Sequence, residues 1–310
     1  MLRPVVVGVD DSAESLAAAE WAAQEACLRD LPLRLVHAWN WSPHPASDVP
    51  ADAAAVGAAQ RVRARAMLDE AETRARAACP RVRMTADPLE GPASAALLRA
   101  AEQAEVMVLG SRGLAAFTGV VVGSVAQSVA AASPVPLVLV RAGEPRWACA
   151  RVHFEGEVTS KGKPERPCAD VVLGLDLADP CDEVVEFALT AARARGVRLR
   201  VLSAWRSPAL YTLGPGELAL AEKPRREEEW RGFQDAVLRS WRGKFPEVEV
   251  VGTVVEGRIV TPLLGAAEDA CLLVVGRHAH AGHRLGQHNG PVTHAVMHHA
   301  RCPVAIVPYP

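Results

Sequence analysis

The chain has 310 residues, half of them hydrophobic and 23% charged, with 34 Lys and Arg against 36 Asp and Glu. That length suits about two domains, each able to bury a core without metals or disulfides, and the near-balance of charge argues against nucleic acid or an anionic membrane as a partner. The seven cysteines (Cys27, Cys79, Cys149, Cys168, Cys181, Cys271, Cys302) include no CxxC pair, so no zinc or redox motif is read and a reducing cytoplasm is the expected compartment.

The chain starts MLRPVVVGVDDS. One basic residue leads straight into a short apolar strand, which lacks the length of a signal-peptide core, and no later apolar run reaches the ~20 residues of a membrane span. After the strand come an Ala-rich helix around Trp21, a strand LRLVHAW at 33–39, a long helix, a strand ending before Glu90-Gly91 and a short helix. Then follow the apolar strand VMVL ending at Gly110, a glycine-rich loop, the helix SVAQSVAAA from Ser124 and a final strand PLVLV at 136–140. Strands that are nearly all apolar, alternating with helices, predict a parallel sheet covered on both faces.

Residues 143–168 are polar, with Lys161, Lys163 and Glu165 around Gly162 and Pro164, and read as a linker with a short hairpin at ARVHFEGEV. Beyond it the first half returns at an offset of 166: VVVGVD as VVLGLD (171–176), Trp21 as Phe187, LRLVHAW as LRVLSAW (199–205), Glu90-Gly91 as Glu256-Gly257 and VMVLG as LLVVG (272–276). Past Gly276 the offset becomes 167, aligning GSVAQSVAAASPVPLVLV (123–140) with GPVTHAVMHHARCPVAIV (290–307). The internal repeat predicts two tandem α/β domains, 1–142 and 169–310, each an open parallel-sheet sandwich with five core strands.

The loop after Gly110 carries the chemistry. Ligands of open α/β sheets sit at the carboxyl ends of the strands, and glycine lets a backbone approach a ligand closely. Gly123-Ser124 open a helix whose unpaired N–H groups and dipole favour an anion such as phosphate. Taken singly, Gly110 and Gly113 serve a turn equally well, and Ser124 a cap. The pattern is neither GxxxxGK[ST] nor a GxGxxG after the first strand.

The spacing G-x2-G-x9-G-S, preceded by an apolar strand and coupled to VGVDDS at the start, resembles the ATP-binding signature of the universal stress protein family, and the two halves resemble its tandem form. The resemblance spans nearly the whole chain apart from the linker. It implies an adenine-nucleotide-binding, Rossmann-like fold in which Gly8 and Asp10 lie beside adenosine while Gly110, Gly113, Gly123, Ser124 and Val125 surround ribose and phosphates. The implied ligand is ATP, alone or with Mg2+. Asp10 also suits a helix cap, and Arg112 points either at a phosphate or into water.

The second loop departs from the pattern. Gly276 and Gly290 stay, but Gly113 is matched by Ala279, Ser124 by Pro291, and Asp11-Ser12 by Leu177-Ala178. Proline starts a helix well but offers neither N–H nor hydroxyl, so ATP is expected in the first half only. Seven of the ten histidines lie near this loop (His278, His280, His283, His288, His294, His298, His299). Only His294 and His298 share a helical face, with no HExxH and no third ligand, so a polar surface is preferred to a metal site.

The expected function is therefore a cytoplasmic, ATP-binding regulatory or stress-response protein whose nucleotide state alters an unidentified protein partner. The alternatives are a slow ATPase, with no base placed beside the γ-phosphate, and a nucleotide-independent interaction scaffold. Family resemblance further implies pairing through the final strands PLVLV and PVAIV, an intramolecular pseudo-dimer open to homodimerisation.

Overall fold

The structure, a computed structural model, describes residues 2–39, 51–111, 122–143, 169–205, 217–279 and 289–310, with 51–56 and 217–224 described by backbone alone. The expected linker after Gly143, Arg112 and Gly113 lie outside the described residues. The chain divides into two compact units, Met1–Pro145 with Ala279–Asn289 and Arg146–His278 with Gly290–Pro310.

In the first unit the elements follow the expected order: β1 (Val5–Gly8), α1 (Ala13–Arg29), β2 (Leu33–Trp39), α2 (Ala51–Ala78), β3 (Met84–Glu90), α3 (Ala93–Ala101), β4 (Val106–Ser111), α4 (Ser124–Ala132) and β5 (Leu137–Arg141). All neighbouring strands are parallel in the order β3-β2-β1-β4-β5. Val5, Val6, Val7, Met107 and Val108 have no exposure, as strands sandwiched between two helical layers require. α1 and α2 pack together on one side, α3 and α4 on the other.

The second unit repeats the plan with β6 (Val171–Gly174), α5 (Asp182–Arg195), β7 (Leu199–Trp205), α6 (Glu217–Lys244), β8 (Val250–Glu256), α7 (Val260–Ala267), β9 (Leu272–His278), α8 (Pro291–His299) and β10 (Val304–Tyr309). Its strands are also parallel, in the order β10-β9-β6-β7-β8. Two tandem five-stranded parallel α/β domains is therefore the observed architecture.

The repeat extends to helix ends. α1 stops because Asp30 takes the left-handed conformation (φ 51°) and its N–H bonds back to Ala26 and Cys27; α5 stops at Gly196 (φ 62°) with the same back-bonds to Ala192 and Arg193. Glycine adopts that conformation without the Cβ crowding that Asp tolerates. At the other end the units differ: α1 begins at Ala13 and α5 at Asp182, three positions later than the 166 offset would place it. The cause is local, since Ser12 caps α1 by accepting from the Ser15 N–H, while Cys181 at the start of α5 makes no side-chain cap bond.

Candidate functional site

Where β1 runs out, a knot of short side chains fixes the turn into α1. Asp10 Oδ1 accepts from the Ser12 N–H at 3.0 Å and from the Ser12 hydroxyl at 2.5 Å. Ser12 Oγ in turn accepts from the Ser15 N–H at 3.1 Å. The Ser15 hydroxyl lies 2.9 Å from both the Asp10 and the Ser12 carbonyl oxygens and receives the Asp10 N–H at 3.1 Å. Ser12, not Asp10, is thus the cap of α1, and Asp10 holds the cap in place.

Burial alone would raise the Asp10 carboxyl. The bonds donated by the Ser12 hydroxyl and N–H, with Ser15 and the neighbouring His37 adding to them, outweigh it and hold Asp10 below its ordinary value. A carboxylate with a depressed folded pKa adds stability that is full above its unfolded pKa and lost as pH falls through the folded one. Asp10→Asn should therefore lower the thermal midpoint at pH 7 by about 1–3 °C. Thermal scans at stepped pH should show that gap closing below pH 4, about the ordinary Asp value.

A cleft of about 250 Å³ opens at the carboxyl ends of β1, β2 and β4. It stands beside the β1–β4 pair, where the chain, having wound β1 to β2 to β3 in one direction, returns to build β4 and β5 in the other. Such a switch point is where open α/β sheets bind ligands. Six of the eight expected site residues line it: Gly8, Asp10, Gly110, Gly123, Ser124 and Val125.

The glycines do different work from one another. A Cβ on Gly110 would fall 2.6 Å from Glu14 C and 2.7 Å from Ser15 N, both backbone atoms of the first turn of α1. Gly110 is needed for that close approach of strand and helix, inside the protein. A Cβ on Gly123 would meet nothing within 4 Å. Gly123 occupies the N-cap of α4, where among the described residues no side chain caps the helix, and the first turn of α4 from Ser124 to Ala126 lines the cleft.

Sequence reasoning missed Ser12, Ser15 and His37 as cleft residues. His37 stands in LRLVHAW, whose counterpart in the repeat, LRVLSAW, has Ser203 in its place. Its Nδ1 is 2.8 Å from the Val9 carbonyl oxygen; because a carbonyl only accepts, Nδ1 carries the proton. Ala93 and Leu97 of α3 supply an apolar wall opposite.

The second unit builds this end otherwise. Asp176 still accepts from the Ala178 N–H at 2.9 Å, but the two serine hydroxyls are gone. Pro291 stands at the start of α8, and Thr293, at the place of Ala126, donates to the Gly276 carbonyl oxygen at 3.1 Å. A Cβ on Gly276 would meet the Tyr309 ring at 2.8 Å, so a side chain fills the space that the first turn of α1 takes in the first unit. Burial raises the Tyr309 phenol, with Asp179, Asp176 and Cys181 adding to the shift. The His294 and His298 rings lie 4.4 Å apart, tilted to one another, along α8, the helical pair that their spacing indicates.

The family profile described as Universal stress protein family matches residues 1–141 and 169–308. The chain belongs to the universal stress protein family. A universal stress protein of Mycobacterium tuberculosis is 31% identical over 320 residues, spanning 97% of this chain and 96% of that protein. One from Mycolicibacterium smegmatis is 28% identical over 315 residues, spanning 98% and 96%. Among solved structures, a universal stress protein from Archaeoglobus fulgidus covers 99% of both chains with a TM-score of 0.65 at 17% identity, a likeness of fold. In this universal stress protein the two matched segments coincide with the two copies of the internal repeat. Among its described residues no helix is long and apolar enough to cross a membrane.

Proposed function

We propose that the chain is an ATP-binding regulatory or stress-response protein that holds one nucleotide, in the first unit. The observation that carries this reading is the switch-point cleft with the N-terminus of α4 and Ser124 at one side and the Asp10–Ser12 knot at the other. Its volume of about 250 Å³ falls below the ~300–1,000 Å³ of small-molecule sites. It has room for part of a nucleotide, with phosphates directed to α4. Each charge-assisted bond to a phosphate is worth about 1.5–3 kcal/mol, against about 1 kcal/mol at most from the helix dipole at an exposed site. The N–H and hydroxyl contacts therefore dominate.

The same reading comprises domains 1–142 and 169–310 joined by 143–168, a cytoplasmic setting, Mg2+ carried in with the nucleotide, association of two chains, and a protein partner that responds to nucleotide state. Arg112 and Gly113 are assigned to the phosphates with Gly123, Ser124 and Val125. The second unit acts as an interaction surface, since Pro291 and the Thr293–Gly276 bond remove donors there.

Mass analysis of ligand extracted from the purified protein should find adenine nucleotide, and calorimetric titration with ATP should give a stoichiometry near one per chain. Ser124→Ala should weaken binding about tenfold or more, the loss of one charge-assisted bond. A chain that carries no nucleotide and shows no heat on titration would sink the reading in favour of a nucleotide-independent scaffold.

A further inference from the structure

α1 and α2 lie side by side and point the same way, and three links join them in order. Arg63 Nη2 meets Asp11 Oδ2 at 2.7 Å at the cleft end, Arg74 Nη1 meets Glu20 Oε1 at 3.0 Å midway, and a disulfide joins Cys27 to Cys79 at the far end. Both ion pairs are solvent-exposed and hold little. Along the described part of α2 the buried stripe is Ala64, Leu68, Ala71 and Ala75, mostly single methyl groups that let the two helices approach closely but bury little apolar area per residue.

The second unit meets the same need differently. The partners of Cys27 and Cys79 at the 166 offset are Arg193 and Phe245, and Arg193 Cζ sits 4.9 Å above the Phe245 ring. The corresponding stripe on α6 buries Gln234, Leu238 and Trp241, with Phe245 buried just past the helix end, and so carries larger side chains. One pair of repeat positions thus bridges the same two helices twice, by an oxidisable bond in the first unit and by a cation over an aromatic face in the second.

We propose that Cys27–Cys79 is a reversible staple, formed by oxidation, that makes the stability of the first unit depend on thiol redox state while the second is indifferent to it. Cys27 is part-exposed and Cys79 is 3% exposed, so exchange enters at Cys27. With a small-molecule disulfide as oxidant, the Cys27 thiolate attacks one of its sulfurs and releases one thiolate. Cys79, its proton passed to solvent, then attacks the Cys27 sulfur and releases the second. Two protein thiols are oxidised, one external disulfide is reduced, and the two protons end on the two departing thiols. A dithiol reductant runs the sequence backwards.

Cys27 lies in the last turn of α1 and Cys79 directly follows α2, so the bond ties the C-terminal ends of the two helices together. The closed loop is long, with a sequence separation of 52, so its removal frees much of the unfolded chain. This inference is independent of nucleotide binding.

The test is hydrogen exchange and thermal unfolding of the full chain, oxidised with glutathione disulfide or reduced with dithiothreitol, with alkylation and mass analysis counting the thiols at Cys27 and Cys79. Reduction should speed exchange in α2 about tenfold or more and lower the first unit's unfolding midpoint by about 5–10 °C. α6 should be unchanged. The double variant C27R/C79F, which moves the second unit's pair into the first, should lose this redox response. In C27A/C79A, α2 should exchange as in the reduced wild type under both conditions. The proposal is overturned if glutathione disulfide leaves the pair unbonded, if reduction leaves α2 protection unchanged, if α6 loosens equally, or if C27A/C79A keeps a redox response.

Discussion

Gly110→Ala should destabilise the first unit by about 3 kcal/mol, the upper end of the typical cost of forcing a methyl group into a packed interior, because the clash is with backbone. The added Cβ would lie 2.6, 2.7 and 2.8 Å from Glu14 C, Ser15 N and Glu14 O. No rotamer relieves a clash with main chain, so either the first turn of α1 or the end of β4 must shift. A shift of α1 pulls Ser15 from the Asp10 and Ser12 carbonyl oxygens and undoes the knot that shapes the cleft. Gly276→Ala is the internal control: its Cβ would meet the Tyr309 ring at 2.8 Å and Val184 Cγ2 at 3.2 Å. Side chains can turn aside, so its cost should be about 1–2 kcal/mol. Denaturant midpoints of the two variants, each read in its own unit's transition, decide the matter. Equal costs would mean that the α1 turn moves as freely as a side chain.

The same comparison shows why the architecture was legible in the sequence and parts of the site were not. Strands such as VVVG and VMVL are apolar throughout because helices cover both faces, and their recurrence at a fixed offset needs no tertiary knowledge to detect. The glycine spacing likewise located Gly110, Gly123 and Ser124 at one cleft. Spacing could not say what each glycine faces, and Gly110 turned out to face α1. Nor could it separate Asp10 from Ser12 as the cap, since both residue types cap helices and stand two apart; the hydrogen bonds decide for Ser12. The Cys27–Cys79 bond was hidden because its members sit at the ends of two helices with 52 positions between them, where no local motif exists. The register of the repeat was the available signal, since it sets Arg193 and Phe245 at the same two places.

The largest effect on ligand binding should come from Gly123. Its φ of −55° and ψ of 147° are open to any residue, and a Cβ there meets nothing within 4 Å. Gly123→Val should therefore cost the free protein no more than about 1 kcal/mol, the penalty of a poor N-cap. ATP affinity should nevertheless fall at least tenfold, since the branched side chain would stand where a phosphate must reach the first-turn N–H groups of α4. Gly290 has nearly the same backbone (φ −57°, ψ 161°) and equally empty surroundings. Gly290→Val should carry the same small cap cost and leave ATP affinity unchanged, because Pro291 has already removed a donor there. Calorimetric titration of both variants beside the wild type separates the readings. If the two changes weaken ATP equally, or if two equivalent nucleotides bind per chain, the second loop has kept its site despite the proline and the extra residue.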